Sequence, residues 1–527
     1  MSTTVERIAA WAAELTLGDV PDAVVDLCRS QRRSVLAAVA ASTTDGAARR
    51  VLAGVDSWAA DGPVPLLGTA RTARADDAIY AATALSIALD FDDYACFAHT
   101  GHSAVLVPLL LAAETASSGV DQLVAQVVAN EVEARLGGAC LLGPLNGQLW
   151  SFVHAAGASL AAGRLLGLDA GRMAHALALA LYQAPRPTIP GFMAPDSKLL
   201  TAAEPTLVGV RAARLAASGV TGPLDALDHP QGFLDAFAYV PLPALLGGLG
   251  VGWATHTLSI KRYPGCAYVD TTVDALLELG PPPADEIASV VVEASVLSCE
   301  MDALSRSYGV DGPPTPVTVN FSIPWNVAVT ALAGQLTPAE TSESWLTEHH
   351  LMLAQLAGRV TLQHDWQLTL RTAEAMAPLL PPRAMFAGTR SRPVLSAIRR
   401  VRRDHEGLRL RPADSMALVR AVRAADSSAA RRAATGRELW TPEALDAFAM
   451  TFPARVRVRL RSGRELVTEV DVPHGGAGNR TTSPEVVSRE KLAAWGPSVW
   501  GPDGTDAIAK AIDSDADELW TLVGASR

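Results

Sequence analysis

Apolar residues recur at helical spacing through the first half of the chain and shift to β-type alternation in the second. The spacing predicts helices over residues 5–15, 23–41, 76–89, 105–117, 120–135, 154–166, 172–183 and 206–219. Ala and Gly are dense on these segments, which lets helices approach closely. Prolines 185, 187, 190 and 195 mark a loop just before Lys198. After about residue 268 the pattern changes. Residues 287–294 are β-branched and read as a strand, and 358–363 as a weaker one. Residues 455–460 and 465–472 alternate around Ser462-Gly463, a hairpin signal. A helix over 326–333 lies between, and 486–522 is helical again.

This pattern predicts a mainly α protein, a large all-helical domain plus a smaller α+β lid domain. The boundaries expected are 1–268 for the helical domain, completed by C-terminal helices at about 486–527, and 269–485 for the lid. An Arg-rich stretch at about 375–445 reads as an insertion in the lid, either a solvated helical segment or a basic dock.

Composition narrows the function classes. Hydrophobic content is 49% with only 5% aromatic, so Ala and Leu dominate and favour packed helices over a β-sandwich. The net charge of −11 argues against nucleic acid, which needs a basic face. The five cysteines fit neither a zinc site nor a disulfide framework, so a reduced, cytoplasmic setting is expected. The N-terminus lacks the pattern of a signal peptide. The longest apolar run, 104–113, holds Pro108 and soon meets Glu114, so no membrane span is expected.

Candidate chemistry concentrates in one run. Asp90-Phe-Asp92-Asp93-Tyr94 and His99-Thr-Gly-His102-Ser103 lie between two apolar segments. Acids and imidazoles are costly to bury unpaired, so this placement points to a polar pocket able to divide proton-transfer roles. The plainer alternative is that Asp92 and Asp93 cap a helix and the histidines are satisfied loop residues. His154 opens a small-residue helix and faces either a pocket or the core. Lys198, at a loop-to-helix junction, could bind a carboxylate or lie on the surface. Lys261-Arg262-Tyr-Pro-Gly-Cys266 sets two cations and a thiol at the domain junction, where ligands commonly bind. Trp325 follows Phe321-Ser-Ile-Pro at a turn into a helix. No phosphate loop, nucleophile elbow or metal-binding helix appears, which favours acid–base chemistry with no cofactor.

Taken in order, these segments resemble the MmgE/PrpD family, which includes 2-methylcitrate dehydratase and cis-aconitate decarboxylase. The matching landmarks are Leu89-Asp90-Phe-Asp-Asp, the His99–Ser103 segment, Phe152-Val-His154, Lys198, Lys261-Arg-Tyr-Pro, Asn320-Phe-Ser…Trp-Asn-Val-Ala and Asp471-Val-Pro. The resemblance implies a cleft site between a helical domain and a lid, in a homodimer without cofactor. It places Asp90, His154, Lys198 and Lys261 on family active-site positions, and matches the catalytic histidine of the first loop to His99 or His102. The chain departs from the decarboxylase pattern at Tyr94 (for Thr), Cys266 (for His) and Trp325 (for Tyr). These changes alter pocket size and hydrogen bonding, and suggest a bulkier, less polar substrate.

The function expected is a dehydratase, a lyase acting on a hydroxylated di- or tricarboxylate or related acid. Lys198 and Lys261, with Arg262, would hold carboxylates. His154 or Asp90 would take a proton from carbon, and His99 or His102 would protonate the leaving hydroxyl. The alternatives are a decarboxylase of an unsaturated polycarboxylate, an epimerase or isomerase, and a non-catalytic member that keeps the fold.

Overall fold

A computed structural model describes residues 2–143, 151–193, 195–306, 308, 312–381, 416 and 439–525. Most of the Arg-rich stretch, residues 382–438 apart from Met416, lies outside the described residues. The fold is mainly α, with a smaller α+β domain in the C-terminal part.

The N-terminal helices form where the apolar spacing predicts them. They include Asp22–Ser42, Ala75–Ile87, Gly101–Thr115, Gly119–Ala139, Ser151–Leu165 and Leu200–Ala217. Several starts are fixed by side-chain caps. Ser118 and Asp121, for example, form a reciprocal capping box ahead of Gly119–Ala139. The helix Ser151–Leu165 lies at the centre, against Gly101–Thr115, Gly119–Ala139, Ala170–Tyr182 and Leu200–Ala217. It is buried along nearly its whole length, as its Ala- and Gly-rich sequence permits. Gly209 allows the closest approach: a Cβ there would meet the backbone of Ala155 and Ser159.

In the C-terminal part, four strands run in the order 360–364, 287–294, 454–460, 465–470. Val360–His364 pairs parallel with Ile287–Ala294, and the other neighbours are antiparallel. Residues 461–464 close the hairpin, with Gly463 at φ 88° supplying the left-handed turn position. The helix Ala267–Glu278 packs against the hairpin strands. The terminal helices return to the helical part: Pro484–Trp495 lies along Asp22–Ser42, and Leu519–Gly524 against Gly101–Thr115.

Several features depart from the sequence reading, among them the helices Ala267–Glu278, Val296–Arg306, Glu343–Ala357 and Trp366–Met376. A helix Gly46–Trp58, capped by Asp45, was not anticipated. Val64–Pro65 pairs with Thr72–Ala73. Most consequentially, Asp93–Ala95 pairs antiparallel with Leu258–Ile260 inside the helical part.

Candidate active site

The acidic run begins where the chain leaves the helix Ala75–Ile87. Asp90 (φ 53°), Cys96 (φ 45°) and Phe97 (φ 76°) adopt left-handed backbone. Such residues cost about 1–3 kcal/mol each, persist only where the surroundings hold them, and cluster at functional sites. The two-stranded pairing does part of the holding. It sets Asp93 opposite Ile260, and the Lys261 amide donates to the Asp92 carbonyl at 3.1 Å. Lys491, from the C-terminal helix, donates to the Phe91 carbonyl and to Ser34 Oγ, both at 2.8 Å.

The result is a buried knot of opposite charges. Lys261 Nζ lies 2.6 Å from Asp92 Oδ1 and 3.5 Å from Asp90 Oδ1, and donates to the Asp90 carbonyl at 3.1 Å. Lys198 Nζ lies 3.4 Å from Asp90 Oδ2 and donates to the Ile87 carbonyl at 3.2 Å. With its amide turned to satisfy both ends, the Asn320 side-chain oxygen accepts from Lys198 at 3.3 Å. Asp90, Asp92, Lys198 and Lys261 are all buried. Burial by itself pushes the Asp90 and Asp92 carboxyls up. Lys198 and Lys261 outweigh it at Asp90, and Lys261 followed by His99 and His102 outweighs it at Asp92, leaving Asp90 lowered and Asp92 well below the usual carboxylate range. Burial also disfavours the ammonium of each lysine. Lys261 faces two carboxylates and is held charged above its ordinary value, whereas Lys198 faces one at longer range and is lowered.

Three imidazoles adjoin this knot. His99 Nδ1 pairs with Asp92 Oδ2 at 2.6 Å, and His102 Nε2 lies 3.0 Å from the same oxygen. The His99 and His102 rings stack with centroids 6.4 Å apart, and His154 meets His102 edge-on at 5.4 Å. His102 Nδ1 bonds Ser86 Oγ at 2.7 Å, whereas its Nε2 is buried beside Asp92 without a hydrogen-bond partner among the described residues. His154 Nδ1 bonds Ser103 Oγ at 2.8 Å, and Ser103 Oγ also bonds Glu133 Oε1 at 2.7 Å. Burial, then the neighbouring imidazoles, lower His154 well below its ordinary value, so its ring is neutral. His102 and His154 are fully buried, while the His99 side chain keeps 16% exposure and forms an edge of the cluster.

The structure therefore brings together Asp90, His99, His102, His154, Lys198 and Lys261. Tyr94 packs beside them, its ring 6.3 Å from that of His99, with its hydroxyl buried and lacking a hydrogen-bond partner among the described residues. Cys266 is half-buried and caps the helix Ala267–Glu278, its amide donating to the Asn320 carbonyl at 2.8 Å. Trp325 is half-buried in the first turn of Ile323–Ala333, capped by Ser322. Arg262 is not brought to the cluster. The strand Leu258–Ile260 ends before these two residues, and the Lys261 and Arg262 side chains go to different partners. Arg262 instead bonds His474 Nδ1 at 2.8 Å and lines a separate cavity of about 430 Å³ with Tyr263 and Asp274. Asp93 follows the plainer reading: its Oδ1 accepts from the Gly101 amide at 3.2 Å, at the start of Gly101–Thr115.

Asp92, His99 and His102 offer donor atoms within 4.8 Å of one another, a grouping that could in principle hold a metal ion and that the sequence reading did not assemble. Against a cation stands the Lys261 ammonium, 2.6 Å from the other Asp92 oxygen. The same Asp92 oxygen that would ligate is already satisfied by His99. The group fits proton handling better than metal binding.

Sequence reasoning gave Asp92 only a helix-capping alternative and assigned no role to Ser86, Ser103, Glu133 or Asn320. A signal for Glu133 was present in the run Asn130-Glu131-Val-Glu133-Ala-Arg135, a dense set of polar and charged residues within an Ala- and Val-rich helix.

The structure is a mainly helical scaffold with an α+β addition, and it holds a buried carboxylate–lysine–imidazole cluster. Residues 6–242 match the MmgE/PrpD N-terminal domain and residues 263–384 match the MmgE/PrpD C-terminal domain. The chain belongs to the MmgE/PrpD family, as its landmarks suggested, and membership supports a dehydratase-like, lyase function in general terms. No curated protein matches the chain. Among the described residues, no helix is long and apolar enough to cross a membrane.

Proposed function

We propose that the chain is a hydro-lyase that eliminates water from a hydroxylated di- or tricarboxylate by general acid–base catalysis. The observation that carries this reading is the buried Asp90–Lys198–Lys261 knot lying against three imidazoles. Lys198, which faces a single carboxylate at 3.4 Å, is the ammonium suited to receive a substrate carboxylate, while Lys261 is engaged by both Asp90 and Asp92. Cations on a substrate carboxylate stabilise the charge that builds on it as the adjacent carbon loses its proton.

The geometry favours a division of roles opposite to the one the sequence suggested. Asp90 is a poor base, because both lysines hold it ionised and low. His99 is the better base: Asp92 accepts from Nδ1–H, which leaves the Nε2 lone pair available at the partly exposed edge. His154, neutral and bonded through Nδ1, would donate from Nε2 to the departing hydroxyl. The C–H electron pair forms the new double bond, the C–O pair leaves with oxygen, and water is the second product. Each such group typically contributes about 10²–10⁴-fold.

The test is incubation of the purified protein with a panel of hydroxy and unsaturated di- and tricarboxylates, followed by mass spectrometry. Loss of water, abolished in Lys198→Ala with folding retained, is expected. Loss of CO2 would replace dehydration by decarboxylation. Turnover undiminished in Lys198→Ala would refute the assigned carboxylate site. Better turnover of alkyl-substituted acids than of 2-methylcitrate is expected if Tyr94 and Trp325 set pocket size.

A further inference from the structure

Glu133 forms no ion pair with the lysines of the charged knot, yet it is a fully buried carboxyl beside the imidazoles. Three helices converge on it: Gly119–Ala139 carries Glu133, Gly101–Thr115 carries Ser103, and Ser151–Leu165 carries His154. The Ser103 hydroxyl sits between the other two, 2.7 Å from Glu133 Oε1 and 2.8 Å from His154 Nδ1. These are normal lengths for hydrogen bonds along a continuous chain. Space for the carboxyl is provided by Gly157, where a Cβ would overlap it. Glu133 Oε2 is buried with no hydrogen-bond partner. An orphaned oxygen is costly on a carboxylate and much less so on a carboxylic acid.

We propose that Glu133 is the proton store for His154, connected to it by the Ser103 hydroxyl. The inference rests on His154 acting as the acid of the proposed elimination. At rest, Glu133 carries the proton and donates to Ser103 Oγ, Ser103 donates to His154 Nδ1, and His154 holds its own proton on Nε2. When Nε2 gives that proton to the leaving hydroxyl, Nδ1 takes the Ser103 proton and Ser103 takes the Glu133 proton. The end state has a Glu133 carboxylate, an intact Ser103 hydroxyl and a neutral imidazole protonated on Nδ1. A proton taken up by Nε2 from water runs the chain in reverse and restores the resting state. Glu133 thus acts through two other groups and is a positioning residue, not one that meets the substrate.

The relay answers a specific difficulty. A buried imidazole surrounded by two others is disfavoured as an imidazolium, so it cannot serve as a conventional cationic acid. Here the ring never becomes charged; only its tautomer changes. The groups facing the chain are consistent with that scheme. Burial and the nearby Asp93 both favour the protonated form of Glu133, while the Ser103 bond opposes it, and the net direction is well upward. His154 faces His102, His99 and Asp92, and its Nδ1 also lies 3.8 Å from Glu133 Oε2, beyond hydrogen-bond distance, so the Ser103 hydroxyl is the hydrogen-bonded link between them.

The test needs no substrate. ¹⁵N-histidine NMR would follow His154 in the free protein from about pH 5 to about pH 10. The wild type should change from Nε2–H to Nδ1–H as Glu133 ionises, and Glu133→Gln should remain in one tautomer across the range. Ser103→Ala, which removes the bridge and leaves both ends, should also lose the change. A single His154 tautomer throughout in the wild type overturns the relay, as does an unaltered change in Glu133→Gln. On a substrate that is dehydrated, Glu133→Gln should lower kcat by about 10²–10⁴-fold with little change in KM. A tautomer change without dehydration of any panel compound would refute the proposed reaction and leave the relay standing. Dehydration with a fixed tautomer would do the reverse.

Discussion

Replacing Asp92 by asparagine tests the centre of the site with almost no change in shape. The wild-type carboxylate serves three partners: Lys261 at 2.6 Å, His99 at 2.6 Å and His102 at 3.0 Å. Removing one partner of a buried ion pair costs about 3–5 kcal/mol. Lys261 keeps the Asp90 carboxylate at 3.5 Å and the Asp90 carbonyl at 3.1 Å, so the lower end, about 3 kcal/mol, is expected. The pH dependence has a definite sign. Asp92 is depressed in the folded protein, so its stabilisation is complete above the unfolded value near pH 4 and is lost as pH falls through the folded value. Denaturation by urea should therefore show a gap between wild type and Asp92→Asn that is constant near neutrality and closes in acid. Turnover should fall further than stability. An amide can present N–H to His99 and select the wrong tautomer, and the corresponding change in Ser-His-Asp triads lowers kcat about 10⁴-fold. The reasoning fails if Asp92→Asn keeps kcat within about tenfold of wild type while His99→Gln abolishes it.

Three further outcomes follow from single contacts. Gly157→Ala forces a methyl into the Glu133 carboxyl and should destabilise by about 1–3 kcal/mol or prevent folding, measured by thermal melting; an unchanged Tm would contradict the tight packing of these helices. Tyr94→Phe removes a buried hydroxyl without a partner and should leave stability equal or slightly higher, so any rise in KM in that variant would assign the hydroxyl to substrate binding. Lys491 is pushed down to about 7 by burial, so the folded state carries fewer protons than the unfolded state between that pH and the ordinary lysine value. Its penalty is full below about pH 7 and fades as pH rises, so the stability of Lys491→Met relative to wild type should decline from about pH 6 to about pH 9, and a pH-independent difference would count against it.

Most helices of the N-terminal half were legible because each depends on a local pattern. Ala-rich 3.6-residue spacing and caps such as Ser118 act within a few residues of themselves. The hairpin was legible for the same reason, since Arg455–Leu460 and Glu465–Val470 flank a glycine turn. The site was legible only as a set of residue types. Its geometry depends on Asp93–Ala95 pairing with Leu258–Ile260, a contact between distant short segments that carry no strand signal of their own. Without that pairing, Lys261 and Arg262 look equivalent; with it, one enters the knot and the other faces a different cavity. Glu133 was hidden for another reason. Its partner Ser103 and its clearance at Gly157 come from two other helices, and no spacing within one segment reveals three-helix convergence.

The charge balance of the knot constrains how substrate binds. Asp90 and Asp92 face Lys198 and Lys261, two negative groups against two positive ones, all buried. A substrate carboxylate placed at Lys198 adds negative charge to a site that is already neutral, and an uncompensated buried charge is worth several kcal/mol against binding. Displacing Asp90 into water would relieve the excess, but its carbonyl is held by Lys261 and its backbone is fixed in a left-handed turn. The remaining route is for a proton to accompany the substrate. Calorimetry of a slowly reacting polycarboxylate in two buffers of different ionisation enthalpy measures this directly. About one proton should be taken up per site at neutral pH, and Lys198→Met should bind the analogue weakly. Binding with no proton uptake would mean that the incoming carboxylate replaces Asp90 at the lysines, and that the knot opens on substrate entry.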